Sequence, residues 1–431
     1  MTSKPLAQWL QHLETLHPSE MELGLERVSQ VAQSLELLPL ALPVVTVAGT
    51  NGKGSTVAVL ESLLSECGFR PGAFTSPHFL RFNERIRVNR EEVADEGIVS
   101  AFEAIEAARG DVSLTYFEFA TLAALLVFKR EAVDYVLLEV GLGGRLDSAN
   151  MIDADVAVIT SIDLDHQDWL GSTKGLIAKE KAGIMRRGRP VVIADSAPPP
   201  ELLQAAQDLE AGPVYRLGKE FECSGLARCW QGRLVHQNGA TLSLVDMAST
   251  SLLPANVCAA AEAALLLGVE FRQEKLQQAI ETSIRPGRLQ RVQVGGLHYL
   301  LDVAHNPAAI DKLLENIAAT PCNGKVIALF SAMKDKAIDE MLAPCVGQFD
   351  AWFLGEQADN PRAMPAAQIG ELLREQGQGA ISVSKNLRQA FRRAQSVMSE
   401  EDLLVVFGSF FTVAAVLPQL EKDRGKFGTD E

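Results

Sequence analysis

Val44-Val45-Thr46-Val47-Ala48-Gly49-Thr50-Asn51-Gly52-Lys53-Gly54-Ser55-Thr56 is the stretch on which the fold turns. Its first five residues read as a short strand buried on both faces, because polar alternation is missing. A helical pattern follows from about Ser55 to Glu66, with Gly68 as its stop. Between them lies a glycine-rich loop with one lysine and two hydroxyls. That order makes a phosphate cradle. Glycines let backbone N–H groups turn inward, the helix N-terminus adds partial positive charge, Lys53 adds a full one, and Ser55 or Thr56 can reach a magnesium ion. A lone glycine triplet would suit an ordinary helix-capping turn. Here strand, lysine, hydroxyl pair and helix coincide, which points to a bound nucleotide. The spacing departs from G-x-x-x-x-G-K-[ST], since two residues separate Gly49 from Gly52 and Gly54 stands between Lys53 and the hydroxyls.

Outward from this loop, strands alternate with helical patterns. A helix from Phe117 to Arg130 leads into a strand from Tyr135 to Val140, and further strands are expected at Val156–Thr160 and Val191–Ala194. Such runs argue for a mainly parallel sheet flanked by helices. Pro198–Pro200 reads as a loop. From Gly212 to Leu253 the segments shorten, and a small antiparallel patch is expected at the sheet's edge. A helix from Ala255 to Leu267 ends at Gly268. Arg285-Pro286-Gly287-Arg288 reads as a linker, which divides the chain into residues 1–286 and a smaller α/β, Rossmann-like unit of residues 287–431. Strands are expected there at Tyr299–Val303, Val326–Phe330, Ala351–Leu354 and Leu403–Phe407, with a frayed polar tail from Lys422 to Glu431.

The composition, 47% hydrophobic and 22% charged, fits a soluble globular protein, and a length of 431 residues suggests two or three domains. A formal net charge of -15 argues against nucleic acid or an anionic membrane as partner. An anionic small substrate would need local patches, for which Arg81, Arg85, Arg87 and Arg90, then Arg285, Arg288 and Arg291, are candidates. The six cysteines contain no C-x-x-C pair, as in a reducing cytosol. No signal peptide and no membrane span are expected, so a cytoplasmic monomer is the default.

Several residues carry chemistry but admit plain alternatives. Glu139 sits in an apolar strand, where a carboxylate must be paired, with Arg145 for example, or bind a metal. His166 follows a strand among Asp163, Asp165 and Asp168, which could orient its ring or gather cations. Ser76 before Pro77 could cap a helix. Lys181, with Lys179 as neighbour, would ordinarily be a solvated helix lysine. Asn306-Pro307 reads as a helix cap with proline in the first turn, and Gly408-Ser409 as a strand-to-helix turn.

The spelling G-T-N-G-K-G-S resembles the folylpolyglutamate and dihydrofolate synthases of the Mur-ligase superfamily. Further motifs carry the resemblance from about Trp9 to Val413: Thr75-Ser76-Pro77-His78, Arg81–Arg87, Leu138–Asp147, Asp163–Gly171, Glu180–Ile184, Asp302–Pro307 and Gly408–Thr412. The stretches Leu13–His17 and Leu114–Glu118 look closest to the bacterial bifunctional branch. The resemblance implies Lys53, Lys181 and His166 as catalytic residues, with Ser76, Glu139 and His166 as magnesium ligands. It implies ATP on Thr50, Asn51, Gly52, Lys53, Gly54, Ser55, Asn256, Arg288 and Asp302. Acceptor and glutamate would meet Thr15, Leu16 and His17, then Thr115, Tyr116, Phe117 and Glu118, then Leu146, Asp147 and Ser148, with His305 and Ser409. A carbamylated Lys181 helping to hold a second magnesium is also implied.

The expected activity is an ATP-dependent amide ligation. L-glutamate is joined to dihydropteroate and to reduced folates through an acyl phosphate. A synthase restricted to polyglutamylation and a Mur-type ligase acting on a nucleotide sugar are the nearest alternatives. Asp168–Gly171 also fits the D-x-x-G of a GTPase, but no N-K-x-D follows. A non-catalytic nucleotide switch would leave the ligase motifs unexplained.

Overall fold

A computed structural model describes residues 4–17, 22–225, 229–248, 250–283, 286–319 and 322–427. The chain divides into two compact units. The first holds Met1–Asp163 and Gln167–Ser283, the second Leu164–His166 and Ile284–Glu431. Arg285, expected in the linker and the second basic patch, lies outside the described residues.

The first unit is built on a sheet whose strands in chain order are β1 Val44–Ala48, β2 Pro71–Phe74, β3 Ile86–Val88, β4 Glu91–Glu92, β5 Tyr135–Glu139, β6 Val156–Ile159, β7 Val191–Ile193 and β8 Val214–Arg216. Their spatial order is β4-β3-β2-β5-β1-β6-β7-β8. The strands from β2 to β8 in that order are parallel, and β3 and β4 fold back antiparallel at one edge. Alternate side chains of β5 serve opposite faces, as a strand geometry requires. Leu137 joins Leu60, Leu63 and Leu64 of the helix Lys53–Glu66 and Val257, Ala260 and Ala264 of the helix Pro254–Leu266. Val136 and Leu138 join Trp9, Phe102 and Phe119 on the other face. Both faces are therefore covered, which explains why these strands read as unbroken apolar runs.

The stretch from Gly212 to Leu253 holds the expected antiparallel patch, but not at the edge of the main sheet. Val214–Arg216 is a parallel strand completing the main sheet, not part of an antiparallel patch. The antiparallel segments, β9 Glu222–Ser224, β10 Cys229–Val235 and β11 Thr241–Ala248, form a separate three-stranded sheet. It contributes Trp230, Leu234, Leu244 and Met247 to the core under the helix Pro254–Leu266. Pro200 is the first residue of a helix, Pro200–Asp208, where its missing N–H costs nothing.

The second unit carries β12 Gln290–Val294, β13 Leu297–Leu301, β14 Val326–Phe330, β15 Ala351–Gly355, β16 Ile381–Ser384 and β17 Leu403–Phe407, ordered β12-β13-β17-β14-β15-β16. Only the β12–β13 hairpin is antiparallel. Phe330, Trp352 and Phe407 pack at its centre. The tail expected to fray from Lys422 is helical through Phe427, as the end of Phe410–Phe427, and its last four residues lie outside the described ones. Among the described residues no helix is long and apolar enough to cross a membrane.

Candidate active site

The loop between β1 and the helix Lys53–Glu66 is held from below by the residues after β6. Thr50 N donates to Ser161 O at 2.6 Å, Asp163 N donates to Thr50 Oγ1 at 2.9 Å, and Thr160 Oγ1 donates to Asn51 O at 2.6 Å. Each glycine has a steric reason. A Cβ on Gly49 would fall 1.7 Å from Thr160 Oγ1, and one on Gly52, whose φ is +90°, 2.6 Å from Asn256 Nδ2. A Cβ on Gly54 would meet the Glu139 carboxylate at 3.3 Å. The unusual Gly54 thus marks where a carboxylate abuts the first helical turn. The Thr56 hydroxyl donates to Gly52 O at 3.0 Å, the ordinary back-bond of a helical threonine.

Two lysines converge on one carbonyl. Lys53 Nζ donates to Gly49 O at 3.0 Å, and Lys181 Nζ to the same oxygen at 2.9 Å. Lys181 is buried, whereas Lys179 is exposed. That difference separates the two neighbours that sequence alone leaves ambiguous.

Ser76 follows β2 and Glu139 ends β5, adjacent parallel strands, so both stand at the carboxyl edge where α/β sites form. Ser76 N donates to Glu139 Oε2 at 3.1 Å. Ser76 caps no helix. Arg145, the plain partner for Glu139, pairs instead with Glu180 at 3.0 Å. Behind Ser76, the buried Arg87 binds Glu61 of the helix Lys53–Glu66 at 2.8 Å, and its Nη1 donates to Thr75 Oγ1 at 3.0 Å and Glu84 O at 2.7 Å. Of the other arginines in this patch, Arg90 pairs with Glu66, and the exposed Arg81 lies near Glu92 and Asp95. His78 Nδ1 accepts from Arg85 Nε at 2.7 Å, and burial, then the Arg85 charge, push the imidazole down to about 4.

Several expected substrate residues also have structural partners. Thr115 and Glu118 form a capping box on the helix Tyr116–Arg130, with Thr115 N donating to Glu118 Oε2 at 2.7 Å. Glu118 also accepts from Arg27 at 3.1 Å. Phe117 lies against Gly141, where a Cβ would be 2.6 Å from the ring. The Asp147 carboxylate accepts from the N–H groups of Gly141, Leu142 and Ala149 at 2.9–3.0 Å, which shapes the glycine turn. Burial raises it to about 6 against those bonds. Ser148 Oγ shares a hydrogen bond with Thr121 Oγ1 at 2.6 Å, while Leu146 is half-buried. Thr15 and Leu16 end the helix Leu6–Leu16, with Thr15 bonded to His12 O, and His17 meets Glu22 at 3.2 Å.

The second unit has its own cluster. Asp302 follows β13 and accepts from Leu289 N and Ala304 N, both at 2.7 Å. Burial raises its carboxyl, and the Arg288 charge opposes that. Arg288 lies over the Phe410 ring at 5.2 Å. Asn306 caps the helix Pro307–Ala318, accepting from Ala309 N at 3.0 Å, and its amide reaches Asp165 at 3.4 Å. His305 Nε2 lies 3.4 Å from Asp165 Oδ2. Burial alone would raise Asp165, but the His305 bond and the Lys336, His305 and His166 charges hold it well below the carboxylate range. His166 N donates to Asp165 Oδ1 at 2.9 Å, and His166 has a φ of +49°, a strain typical of functional positions. Asp163 pairs with Lys174 in the first unit. Ser409 Oγ accepts from Thr412 N at 3.1 Å, so it also starts a helix.

Lys336 is the participant that sequence reading missed. Its side chain is 6% exposed, and Nζ donates to Asp165 Oδ1 at 2.5 Å and lies 3.5 Å from His166 Nε2. Lys334-Asp335-Lys336 reads as a solvated turn, and nothing local marks its second lysine as buried.

Known proteins resemble this chain in sequence and fold. The Mur ligase middle domain matches residues 47–224, and the Mur ligase glutamate ligase domain matches residues 287–410. A dihydrofolate synthase/folylpolyglutamate synthase of Escherichia coli (strain K12) is 41% identical over 423 residues, covering 98% of this chain and 97% of that protein. The structure of E. coli FolC with DHPP and ADP superposes with a TM-score of 0.91 at 40% identity, over 98% of this chain and 99% of that one. A bifunctional folylpolyglutamate synthase/dihydrofolate synthase with Mn, AMPPNP and L-glutamate bound gives a TM-score of 0.87 at 40% identity, over 97% and 98% of the two chains.

Proposed function

The chain belongs to the dihydrofolate synthase/folylpolyglutamate synthase group of the Mur ligases, and from that premise we propose how its residues divide the work. The protein is an ATP-dependent carboxylate–amine ligase. It joins L-glutamate to dihydropteroate, forming dihydrofolate, and adds further glutamates to reduced folates.

The observation that supports the site assignment best is the meeting of Glu139 with Gly54. It sets a buried carboxylate beside the first turn of the phosphate-binding helix. We assign Ser76, Glu139 and His166 as ligands of the divalent cation because the family resemblance implies them; the hydroxyl and carboxylate suit so hard an ion, whereas an imidazole is an unusual partner for it. Magnesium, when bound, neutralises charge on the transferring phosphoryl group. Thr50 to Ser55 offer backbone N–H groups to the phosphates, and Lys53 would leave the Gly49 carbonyl to reach them. Ser55 is the better placed hydroxyl for the cation, because that of Thr56 is bonded within the helix. Asn256, Arg288 and Asp302 are likewise assigned to the nucleotide, as the family resemblance implies.

ATP phosphorylates the acceptor's carboxylate, giving an acyl phosphate and ADP. The glutamate amine attacks the acyl carbon and phosphate leaves. We assign Tyr116, Phe117 and the stretches Thr15–His17, Thr115–Glu118 and Leu146–Ser148 to the acceptor, and His305 and Ser409 to the glutamate side. ATP and pterin are assigned to residues 1–286 and glutamate ligation to residues 287–431. Lys181, buried and directed at Gly49, is assigned as a carbamate that helps hold a second magnesium. The protein works as a cytoplasmic monomer on small molecules, without nucleic acid or membrane.

An ADP-release assay tests the reading, with dihydropteroate or tetrahydrofolate as acceptor, each with glutamate and magnesium. Release with both is expected, and its loss in Lys53→Ala. Release with tetrahydrofolate alone would mean a polyglutamylating enzyme only, and release with neither would overturn the folate reading.

A further inference from the structure

Arg85 stands just before β3, and its backbone carbonyl accepts from Thr75 N at 2.9 Å. β3 runs antiparallel to β2, with Ile86 opposite Phe74. Arg85 is therefore at the carboxyl edge of the parallel strands, beside the segment that carries Ser76. Its side chain is almost wholly buried, the residue being 9% exposed. The guanidinium carbon lies 5.8 Å from the centroid of the Phe82 ring and 5.6 Å from that of Tyr116. Nε donates to His78 Nδ1 at 2.7 Å, a bond that supplies an acceptor but no negative charge.

Arg87, two residues on, is served differently. It too is buried, but it bonds Glu61 through Nε and Nη2. Among the described residues Arg85 has no ion pair, and neither of its Nη nitrogens has a protein acceptor. The carboxylates of Glu139 and Glu84 act on it through space, without a bond. Glu84 accepts from the N–H groups of Phe79, Leu80 and Arg81, and Glu139 from that of Ser76. Burying a guanidinium without a bonded anion is costly, and two aromatic faces offset only part of that cost. The remaining donors form a planar fork, the shape that binds a carboxylate through both oxygens. Phe82 and Tyr116 flank that fork, and Phe117 follows Tyr116 in the stretch assigned to the acceptor. The position thus suits an aromatic acid better than the triphosphate, which belongs to the loop after β1.

We propose that Arg85 binds the carboxylate of the aromatic acceptor through its two Nη nitrogens and presents it for phosphorylation. The neutral acceptor of Nε, His78, and the rings of Phe82 and Tyr116 fix the plane of the fork. This inference rests on the acceptor reading under the proposed function.

The test compares equilibrium binding of dihydropteroate with that of its primary carboxamide, in the presence of ADP and magnesium, to wild-type protein, Arg85→Gln and Arg85→Lys. The carboxamide keeps the pterin and aryl rings but removes the charge. Wild type should prefer the acid by about tenfold or more, as expected for a charge-assisted pair. Arg85→Gln should bind acid and amide alike, and its KM for dihydropteroate should rise while that for ATP stays within about twofold. Arg85→Lys, which keeps the charge but loses the fork, should retain part of the preference. It carries the test if the glutamine variant does not fold. An unchanged acid-to-amide ratio in the variants, or a rise confined to the KM for ATP, overturns the assignment of Arg85 and leaves the acceptor reading standing. Wild type that binds neither compound and releases no ADP with dihydropteroate overturns both.

Discussion

The side-chain amide of Asn256 occupies the space next to Gly52, 2.6 Å from where a β-carbon would stand. Gly52 also has a φ of +90°, which side chains resist. Gly52→Ala should therefore destabilise the protein by about 1–3 kcal/mol in urea unfolding. Gly52→Ala combined with Asn256→Ala should lose less than the sum of the single changes, because the clash is removed and only the backbone strain remains. Strict additivity would show that the contact is not felt.

Glu139→Gln keeps the shape of the side chain beside Gly54 but removes its charge. The magnesium concentration needed for half-maximal ADP release should rise about 10- to 100-fold, with thermal stability near that of wild type. His166→Ala should raise it in the same direction. Unaltered magnesium dependence in both variants would exclude them as ligands.

The Arg87–Glu61 pair joins the phosphate-binding helix to β3, and both side chains are at most 4% exposed. Arg87→Met removes the guanidinium from the buried Glu61 carboxylate and should cost roughly 3–5 kcal/mol. Adding Glu61→Leu should restore a large part of that loss. Denaturant midpoints of the three variants decide between a buried pair and two independent contacts.

Lys181 is buried and its amine meets the Gly49 carbonyl. Intact-mass measurement in bicarbonate buffer with ADP and magnesium should reveal one carbon dioxide adduct in wild type and none in Lys181→Met, which should also lose ligation. A crystal structure with both metals bound to an unmodified Lys181 would reject the carbamate.

Glu262 is buried within the helix Pro254–Leu266. Oε2 accepts from Val235 N at 3.1 Å, and Oε1 is buried with no partner among the described residues. Burial raises its carboxyl to about 7. A raised acid favours the folded state most below the ordinary carboxylate range, and that contribution is lost as pH rises through about 7. Over that window one extra proton on the folded chain makes stability fall by at most about 1.4 kcal/mol per pH unit. Glu262→Gln should therefore flatten the fall between roughly pH 5 and 7. Parallel stability–pH curves for the two proteins would refute the assignment.

What was legible in the sequence was what neighbouring residues decide. The order of strand, glycine loop and helix at Val44–Glu66 is local, and so are the apolar runs of β5, β14 and β17. Several strands are not marked by such runs, among them the interior Pro71–Phe74 and Ile86–Val88 and three that lie at sheet edges. Gln290–Val294 alternates with polar residues, Ile381–Ser384 is half polar, and Glu91–Glu92 is two charged residues. The site followed the same rule. Ser76, Glu139 and His166 stand out only through family spelling, since each has a plain alternative. The four arginines from Arg81 to Arg90 looked like one anion-binding patch. Only their distant partners, Glu61 for Arg87 and Glu66 for Arg90, reveal which are already neutralised. Lys336 escaped because Asp165, its partner, lies 171 residues earlier.

The tripeptide Leu164-Asp165-His166 packs with the second unit although the chain on either side belongs to the first. The polypeptide therefore crosses between units at three points rather than one. A gene cut at the linker should therefore not produce two self-sufficient modules. A fragment beginning at residue 287 would inherit Lys336 and His305 but not the aspartate that balances them, and a buried lysine without its counter-charge is poorly tolerated. Recombination between related enzymes meets the same restriction. A carboxyl-terminal half moved into a new host has to find a compatible Asp-His in the host's own amino-terminal half, so the two parts must diverge together.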